Sequence, residues 1–401
     1  MSDPLGDPVS HLAGGPMTGL ERLAARGASN GPASAPASGP AGLLELHDVS
    51  VTYRGADGDV PAVRGVSLAL EAGEALGVAG ESGSGKSTLA MSLLRLLPRD
   101  ARVSGRILLE GEDVLAMNWG RLRAVRWASA SVVFQGAQHA LNPVRRIGDQ
   151  IAEPMLVHGT ATPAEARRRA AELLEQVGLP AWRARGHPHE LSGGQRQRVM
   201  IAMALACSPR LIVADEPTTA LDVMIQAQVL TLIRSLVAGH GIGLIMISHD
   251  LSVLASTCDR LAIMYAGRVV ESGPARQVFR GAAHPYGRAL AEAFPTVGDP
   301  ASRRAPRGLG GDPPDPAHLP AGCSFHPRCP VSLVSCASEP VELRPVTARG
   351  PTGVPGGLTG NGAVPDGRTV DDTAPGGPGG RAGRAGRPHV AACVHVGEEA
   401  R

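Results

Sequence analysis

Lysine is almost absent from this sequence. Of its 39 lysine and arginine residues, only Lys86 is a lysine. A coding bias toward arginine would replace lysine wherever any positive charge suffices, because arginine offers a planar charged fork and lysine a compact ammonium on a flexible stem. The retained lysine therefore indicates either chance or a site at which the arginine fork does not fit.

Long apolar runs, a secretory leader and a strong net charge are also missing. No apolar stretch approaches the roughly 18 to 20 residues that span a bilayer, and residues 241–248, the most apolar stretch, have the length of a strand. The N-terminus lacks a charged start followed by an apolar core. The formal net charge is only +2, which gives little attraction to nucleic acid. We therefore expect a cytosolic protein whose six cysteines are thiols or metal ligands rather than disulfides.

Composition predicts five segments along the 401 residues. Residues 1–42 form a disordered leader rich in Ala, Gly, Pro and Ser, and residues 43–280 an ordered domain that contains the motifs described below. Residues 281–345 form an extension with clustered cysteines, residues 346–387 a Gly/Pro-rich linker, and residues 388–401 a tail carrying Cys393. A hydrophobic content of 43% supports at least one large core.

The neighbours of Lys86 form a phosphate-binding loop. Residues 80–87, GESGSGKS, fit G-x-x-x-x-G-K-[ST], in which glycines let backbone N–H groups converge on phosphate oxygens. A short apolar strand is predicted over residues 75–79 and a helix over residues 88–97. Lys86 would reach the β- and γ-phosphates and Ser87 would bind Mg²⁺. The predicted nucleotide contacts in this loop are Gly80, Ser82, Gly83, Gly85, Lys86, Ser87 and Thr88.

Two carboxylates follow a second apolar stretch. Residues 211–214, LIVA, read as a buried parallel strand, and Asp215 and Glu216 stand at its carboxyl end, where open α/β sheets bind ligands. Asp215 would contact Mg²⁺ or its water, and Glu216 would polarise the water that attacks the γ-phosphate. A lone Asp-Glu pair is more often a helix cap or a surface pair, so the catalytic interpretation depends on the phosphate loop.

A second anion site is predicted at LSGGQ, residues 191–195, which precedes a helical stretch up to residue 206. Small residues and free N–H groups at a helix start can approach a phosphate closely. Because one nucleotide does not need two such loops, we expect this loop to serve the ATP of another subunit.

These motifs, with ALD at 220–222 and SHD at 248–250, resemble in their order the nucleotide-binding subunit of an ABC transporter over about residues 44–275. The resemblance implies an α/β P-loop NTPase of ABC type, with a mixed-sheet RecA-like core, an antiparallel β subdomain and a helical subdomain. It also implies that two subunits pack head to tail, so that Ser192, Gly193, Gly194 and Gln195 contact the ATP of the other subunit.

The same resemblance assigns roles to four further residues. Tyr53 would stack on adenine, a role that its flat ring suits, and Asp222 would cross the dimer interface. Gln135 would sense Mg²⁺, and His249 would contact the γ-phosphate. Taken alone, Tyr53 reads as a strand residue, Gln135 as a solvated turn residue and His249 as a satisfied strand-end histidine.

Two other stretches resemble the dipeptide and oligopeptide permease ATPases. They are residues 134–151, beginning FQGAQHALNP, and residues 284–290, HPYGRAL, at the start of the C-terminal extension. Cys323, Cys329 and Cys336, with the remote Cys393, form a cytosolic thiol set suited to a metal. Spacing alone leaves Fe–S, zinc and unligated thiols open, and the resemblance implies a [4Fe–4S] cluster. Cys207 and Cys258 read as inert core residues.

We therefore predict an ATP hydrolase that uses ATP and Mg²⁺ to energise import of di- and oligopeptides. The resemblance implies a paralogous second ATPase subunit, two membrane permease subunits and, indirectly, an extracytoplasmic solute-binding protein, with this chain peripheral on the cytoplasmic face of the membrane. Nickel chelates or sugars are alternative cargoes. A non-transport ABC ATPase acting on DNA is disfavoured because no long insertion separates Lys86 from Leu191.

Overall fold

The computed structural model describes residues 42–55, 58–136, 140–219, 221–293, 309–346 and 387–396. The predicted leader up to residue 41, the linker residues 347–386, Ala220 and residues 137–139 lie outside these ranges. The description below concerns the unit that begins at Gly42.

A small antiparallel sheet begins the described chain. Its strands are β1 (Leu44–Gly55), β2 (Gly58–Leu70), β4 (Arg102–Leu109) and β5 (Glu112–Asp113), in the order β2-β1-β4-β5. Alternate residues of β1 are buried, and the register shifts between Leu46 and Val49, where Asp48 has a φ of 51°. This bulge keeps both Leu46 and Val49 on the buried face.

The large sheet carries the nucleotide motifs. Its remaining strands are β3 (Ala75–Ala79), β6 (Ala130–Val133), β7 (Leu211–Asp215), β8 (Gly243–Ser248), β9 (Arg260–Tyr265), β10 (Arg268–Pro274), β11 (Arg344–Pro345) and β12 (Val390–Ala391). The order is β11-β12-β10-β9-β3-β8-β7-β6. Strands β6, β7, β8, β3 and β9 are parallel, and the strands from β10 outward pair antiparallel. The mixed sheet and the separate antiparallel sheet confirm the predicted fold class.

The helices cover the sheets and build the helical region before LSGGQ. They are α1 (Lys86–Ser92), α2 (Trp119–Val125), α3 (Ile147–Val157), α4 (Pro163–Gln176), α5 (Gly193–Ala204), α6 (Val223–His240), α7 (Leu251–Thr257), α8 (Ala275–Arg280) and α9 (Pro285–Glu292). The helix predicted over residues 88–97 is shorter than expected. It ends at Ser92 because Arg95, with a φ of 50°, cannot continue it.

Side chains of the central strands alternate between two cores. Leu76 and Val78 of β3 pack into the core shared with the small sheet, whereas Ala75 and Ala79 face the core shared with the helices. All five residues of β3 are buried, as the sequence predicts. Burial on both faces explains the continuous apolar runs, which are typical of parallel strands under helices.

Helix α6 is, by length and composition, long and apolar enough to cross a membrane; it is the one such helix in the described ranges. No such segment was expected from the sequence, because polar residues interrupt its apolar ones. Its buried side chains Val229, Ile233, Leu236 and Val237 follow helical spacing and belong to the core beneath the large sheet. The tested window is 17% buried, and a single helix that passes a test of length and composition carries no conclusion about a membrane.

An aromatic cluster fixes the C-terminal extension to the edge of β9 and to α9. Phe325, 1% exposed, lies with its ring centroid 5.2 Å from that of Tyr265 on β9 and 5.4 Å from that of Tyr286 on α9. Tyr265 and Tyr286 are themselves 4.6 Å apart. Such aromatic contacts bury large areas with a defined geometry, so the cysteine-bearing segment has a fixed position beside β9.

Candidate functional site

The phosphate loop follows β3 and leads directly into α1. Gly85 precedes the helix with a φ of 96°, and a Cβ there would lie 2.2 Å from the carbonyl oxygen of Ala62. Only glycine satisfies both the left-handed backbone and this close approach. The sequence G-x-x-x-x-G-K therefore has a packing cause at its second glycine as well as a phosphate-binding one.

Lys86 points back into the loop. Its Nζ donates to the carbonyl oxygens of Gly80 at 2.8 Å and Glu81 at 2.7 Å, and to the hydroxyl of Ser84 at 3.2 Å. Burial lowers the pKa of Lys86, and the nearby carboxylates of Glu216, Asp215 and Glu81 oppose that fall. A compact ammonium with three donors suits this crowded cradle, whereas a planar guanidinium does not.

Asp215 supplies a buried carboxylate beside the loop. It is 2% exposed at the end of β7, it accepts a hydrogen bond from Ser87, and its Oδ1 is buried without a partner among the described residues. Burial raises its pKa, with a further rise from Glu216. An unsatisfied buried carboxylate oxygen next to a serine hydroxyl fits the oxygen ligands that Mg²⁺ requires.

Glu216 is the centre of a hydrogen-bond network. Its Oε2 accepts from Gln135 Nε2 and from Thr219 Oγ1, both at 2.8 Å, and its Oε1 lies 3.4 Å from Nδ1 of His249. The backbone of Glu216 has a φ of 45°, an uncommon conformation for a residue with a side chain. The structure thus brings Gln135, Glu216 and His249 together, and their roles in hydrolysis stay predictions.

The walls of the nucleotide cavity come partly from unexpected residues. Residues 81–88, Gln135 and Glu216 line it, together with Tyr265 at the end of β9 and Ala266 and Gly267 after it. Its apolar wall consists of Val60, Pro61 and Ala62 of β2 facing Pro313, Pro314, Pro316 and Leu319 of the extension. Sequence reasoning missed these prolines, because a Pro-rich stretch carries no periodicity that would place it on a site.

Tyr53 lies beside this cavity rather than among the residues that line it. Its hydroxyl donates to Oγ1 of Thr88 at 3.3 Å, which joins β1 to the first turn of α1. Stacking of Tyr53 on adenine therefore stays a prediction.

LSGGQ and Asp222 stand apart from the phosphate loop of the same chain. Ser192 caps α5 through a reciprocal pair of hydrogen bonds with Gln195, and Asp222 caps α6 by accepting from the N–H of Ile225 at 3.0 Å. None of Ser192, Gly193, Gly194 or Gln195 lines the nucleotide cavity described above. Gly194 also has a packing role, because a Cβ there would lie 2.4 Å from the side chain of Ile225.

The four predicted cysteines converge. Cys323, Cys329, Cys336 and Cys393 line one small cavity, although Cys393 is remote in sequence. Burial raises the pKa of the Cys393 thiol to about 11, and the charges of the other three thiols add to that rise. Among the described residues, no three His, Cys, Asp or Glu side chains already form a metal-binding group. The four sulfurs therefore share a cavity without forming a closed ligand set.

Two protein families match the chain. The ABC transporter family matches residues 63–219, and the oligopeptide/dipeptide transporter C-terminal region matches residues 270–336. The oligopeptide transport ATP-binding protein OppD of Salmonella typhimurium is 44% identical over 300 residues, covering 74% of this chain and 89% of the relative. A putative peptide import ATP-binding protein of Brucella melitensis is 43% identical over 308 residues, covering 73% of this chain and 91% of the relative.

Solved structures agree with the family matches. A dimeric, post-hydrolysis ATP-binding cassette bound to ADP and Pi superposes with a TM-score of 0.53 at 29% identity, covering 58% of this chain and 99% of that one. CbiO1 of Clostridium perfringens, part of an ABC transporter complex, superposes with a TM-score of 0.51 at 28% identity, covering 59% of this chain and 90% of that one. Fold, phosphate loop and paired carboxylates together define an ATP-hydrolysing cassette. The chain belongs to the ABC transporter family, among the ATP-binding subunits that carry the oligopeptide/dipeptide C-terminal region.

Proposed function

We propose that this chain energises the import of di- and oligopeptides through an ABC membrane transporter. The observation that carries the proposal is the joining of a cassette ATPase to the oligopeptide/dipeptide C-terminal region in one chain. Relatives that share this arrangement along most of their length are named for oligopeptide transport or peptide import.

The site residues have distinct roles in the proposed hydrolysis. Lys86 balances charge on the β- and γ-phosphates, and the loop N–H groups hold the phosphate oxygens. Ser87, Asp215 and Gln135 would hold Mg²⁺, which neutralises phosphate charge when it is bound. Glu216, already held by Gln135 and Thr219, orients the attacking water, and His249 contacts the γ-phosphate.

A second ATPase subunit completes the site in this proposal. LSGGQ lies away from the cavity of its own chain, so this start of α5 is available to the ATP bound by a partner. We infer a paralogous partner, two membrane permease subunits and an extracytoplasmic solute-binding protein that acts indirectly. The chain would then be peripheral on the cytoplasmic face of the membrane.

The test is uptake of a labelled dipeptide, with longer peptides as competitors, in cells that lack this chain. Wild type should restore uptake, and Glu216→Gln should not, although it still binds ATP. Uptake that is indifferent to the chain would contradict the peptide cargo and direct the same assay to nickel chelates and sugars. ATPase activity that depends on DNA instead of membrane subunits would favour the non-transport alternative.

We further propose that Cys323, Cys329, Cys336 and Cys393 hold a [4Fe–4S] cluster. The supporting observation is that four sulfurs from distant parts of the chain line one cavity with apolar neighbours such as Phe325 and Val331. Four thiolates suit either Fe–S or zinc, and the cluster would supply a redox-active or purely structural crosslink.

Anaerobically purified protein should contain iron and absorb visible light, and Cys393→Ser should abolish both. The matched control is Cys207→Ser, because Cys207 is a partly buried thiol outside the cavity. Colourless protein that contains zinc would show that the four cysteines hold zinc instead of iron. Wild-type protein without bound metal would refute the proposal of a metal site.

A further inference from the structure

An ion pair joins the C-terminal extension to the phosphate loop. Arg328 donates from Nη1 to Oε2 of Glu81 at 2.8 Å and from Nη2 to Oε1 at 3.0 Å. Its side chain is 6% exposed and that of Glu81 is 24% exposed. The two Nη atoms thus donate to the two carboxylate oxygens, one each, which is the geometry of the stronger, orientation-specific arginine pairs.

Arg328 is itself fixed from the other side. Its Nε donates to the carbonyl oxygen of Gly310 at 3.0 Å, and its Nη1 also lies 3.4 Å from the hydroxyl of Tyr265. These contacts hold the guanidinium in one orientation, so the carboxylate of Glu81 is held by a rigid partner rather than by a mobile surface side chain.

Glu81 transmits this constraint to the phosphate site. It is the second residue of the phosphate loop, its N–H donates to the hydroxyl of Tyr286 at 2.8 Å, and its carbonyl oxygen accepts from Nζ of Lys86 at 2.7 Å. The side chain, the N–H and the carbonyl of one loop residue are therefore held by Arg328, Tyr286 and Lys86 respectively. Rotation of this residue would move both the start of the loop and the ammonium that contacts phosphate.

We propose that Arg328 is a positioning residue of the ATP site, which acts through Glu81 to hold the phosphate loop in its binding geometry. The inference rests on the proposed ATP site, and it assigns to the cysteine-bearing extension a part in nucleotide binding. Arg328 is not among the residues that line the nucleotide cavity. It reduces the conformational freedom that the loop would otherwise lose when it closes around the phosphates.

The test is a double-mutant cycle on ATP affinity with the full-length protein. Arg328→Ala and Glu81→Gln should each weaken binding of Mg·ATP by about tenfold, since each removes a charge-assisted pair. The double variant should be no weaker than the weaker single variant, because both changes remove the same interaction. Arg328→Lys keeps the charge but reaches one oxygen at a time, so its affinity should lie between those of wild type and Arg328→Ala.

The matched control is Arg344→Ala, an exposed arginine on β11 of the same extension. It should leave ATP affinity within about twofold of wild type, since it lies outside the nucleotide cavity and the Glu81 contacts. If Arg328 only anchored the extension, Arg328→Ala would lower the melting temperature but leave the ATP affinity unchanged below that temperature. That result, or additive effects in the cycle, would overturn the proposal.

The same titration separates this inference from the proposed function. Wild type that binds ATP while Lys86→Ala does not supports the ATP site independently of Arg328. Wild type that fails to bind ATP would overturn the ATP site and the positioning role together. Peptide uptake is not used as a readout, so a wrong cargo cannot change the outcome.

Discussion

The Glu271→Gln substitution tests how the tail that carries Cys393 is held against the large sheet. Glu271 lies in β10 and is 0% exposed. Its Oε1 accepts from the N–H of Ala283 at 2.7 Å and lies 2.6 Å from Nε2 of His389, and its Oε2 accepts from the N–H of His284 at 3.1 Å. A carboxylate can only accept hydrogen bonds, so Nε2 of the imidazole is the donor to Oε1.

Glutamine has the right size but the wrong chemistry for these three donors. Its single carbonyl oxygen can replace only one carboxylate oxygen, and its amide nitrogen would then face an N–H donor. Leaving a buried donor unsatisfied costs about 1–3 kcal/mol. We expect about 3 kcal/mol, which corresponds to roughly a hundredfold increase in the detached state of the tail.

The assay measures how fast iodoacetamide labels Cys393 in metal-free protein, with the modified peptide quantified by mass spectrometry. Labelling of Cys393 should be roughly a hundredfold faster in Glu271→Gln than in wild type, because buried thiols react through local opening. The matched control is Glu342→Gln, a glutamate that lies in the same extension but is exposed. Equal labelling rates in wild type and Glu271→Gln would refute the reasoning that Glu271 anchors the tail.

Three further changes test the site itself. Burial raises the pKa of Asp215. Ionisation of this buried carboxyl group therefore lowers the stability of the fold as pH rises above the ordinary aspartate pKa of about 4. Asp215→Asn should raise the melting temperature at neutral pH and should abolish Mg²⁺-dependent ATP binding. Gly85→Ala forces a Cβ against Ala62 and should abolish ATP binding in a nucleotide titration. Gly194→Ala places a Cβ against the side chain of Ile225. It should lower the free energy of unfolding by about 1–3 kcal/mol in a denaturant titration, and mononucleotide binding should be retained.

Local signals predict the central nucleotide motifs well. The strand before the phosphate loop is observed as Ala75–Ala79, and the strand before Glu216 as Leu211–Asp215. Both are short buried runs next to a glycine-rich or acidic turn, so periodicity, length and the ends of the strands all indicate the same structure. Gln135 and His249 were placed by resemblance, and their contacts with Glu216 arise because both follow strands of the same parallel sheet.

The extension could not be placed in this way. Its segment 309–346 contains only short 3-10 turns and the two-residue strand Arg344–Pro345, so no periodic pattern indicates which face meets the ATPase. The contacts that fix it join residues far apart in sequence, such as Arg328 with Glu81 and His389 with Glu271. Such pairs depend on tertiary packing and leave no local signature in a single sequence.

The phosphate loop and the cysteine cavity meet in one short segment. Arg328, which holds Glu81, is followed directly by Cys329, which lines the cavity, and Phe325 packs between Tyr265 and Tyr286 in the same turn. A shift of Cys329 would therefore act on its neighbour Arg328, whose guanidinium pairs with Glu81 of the phosphate loop. Since coupling between two binding sites is reciprocal, an interaction that fixes the cysteines would also favour the loop geometry that binds ATP, and ATP would favour the arrangement of the cysteines.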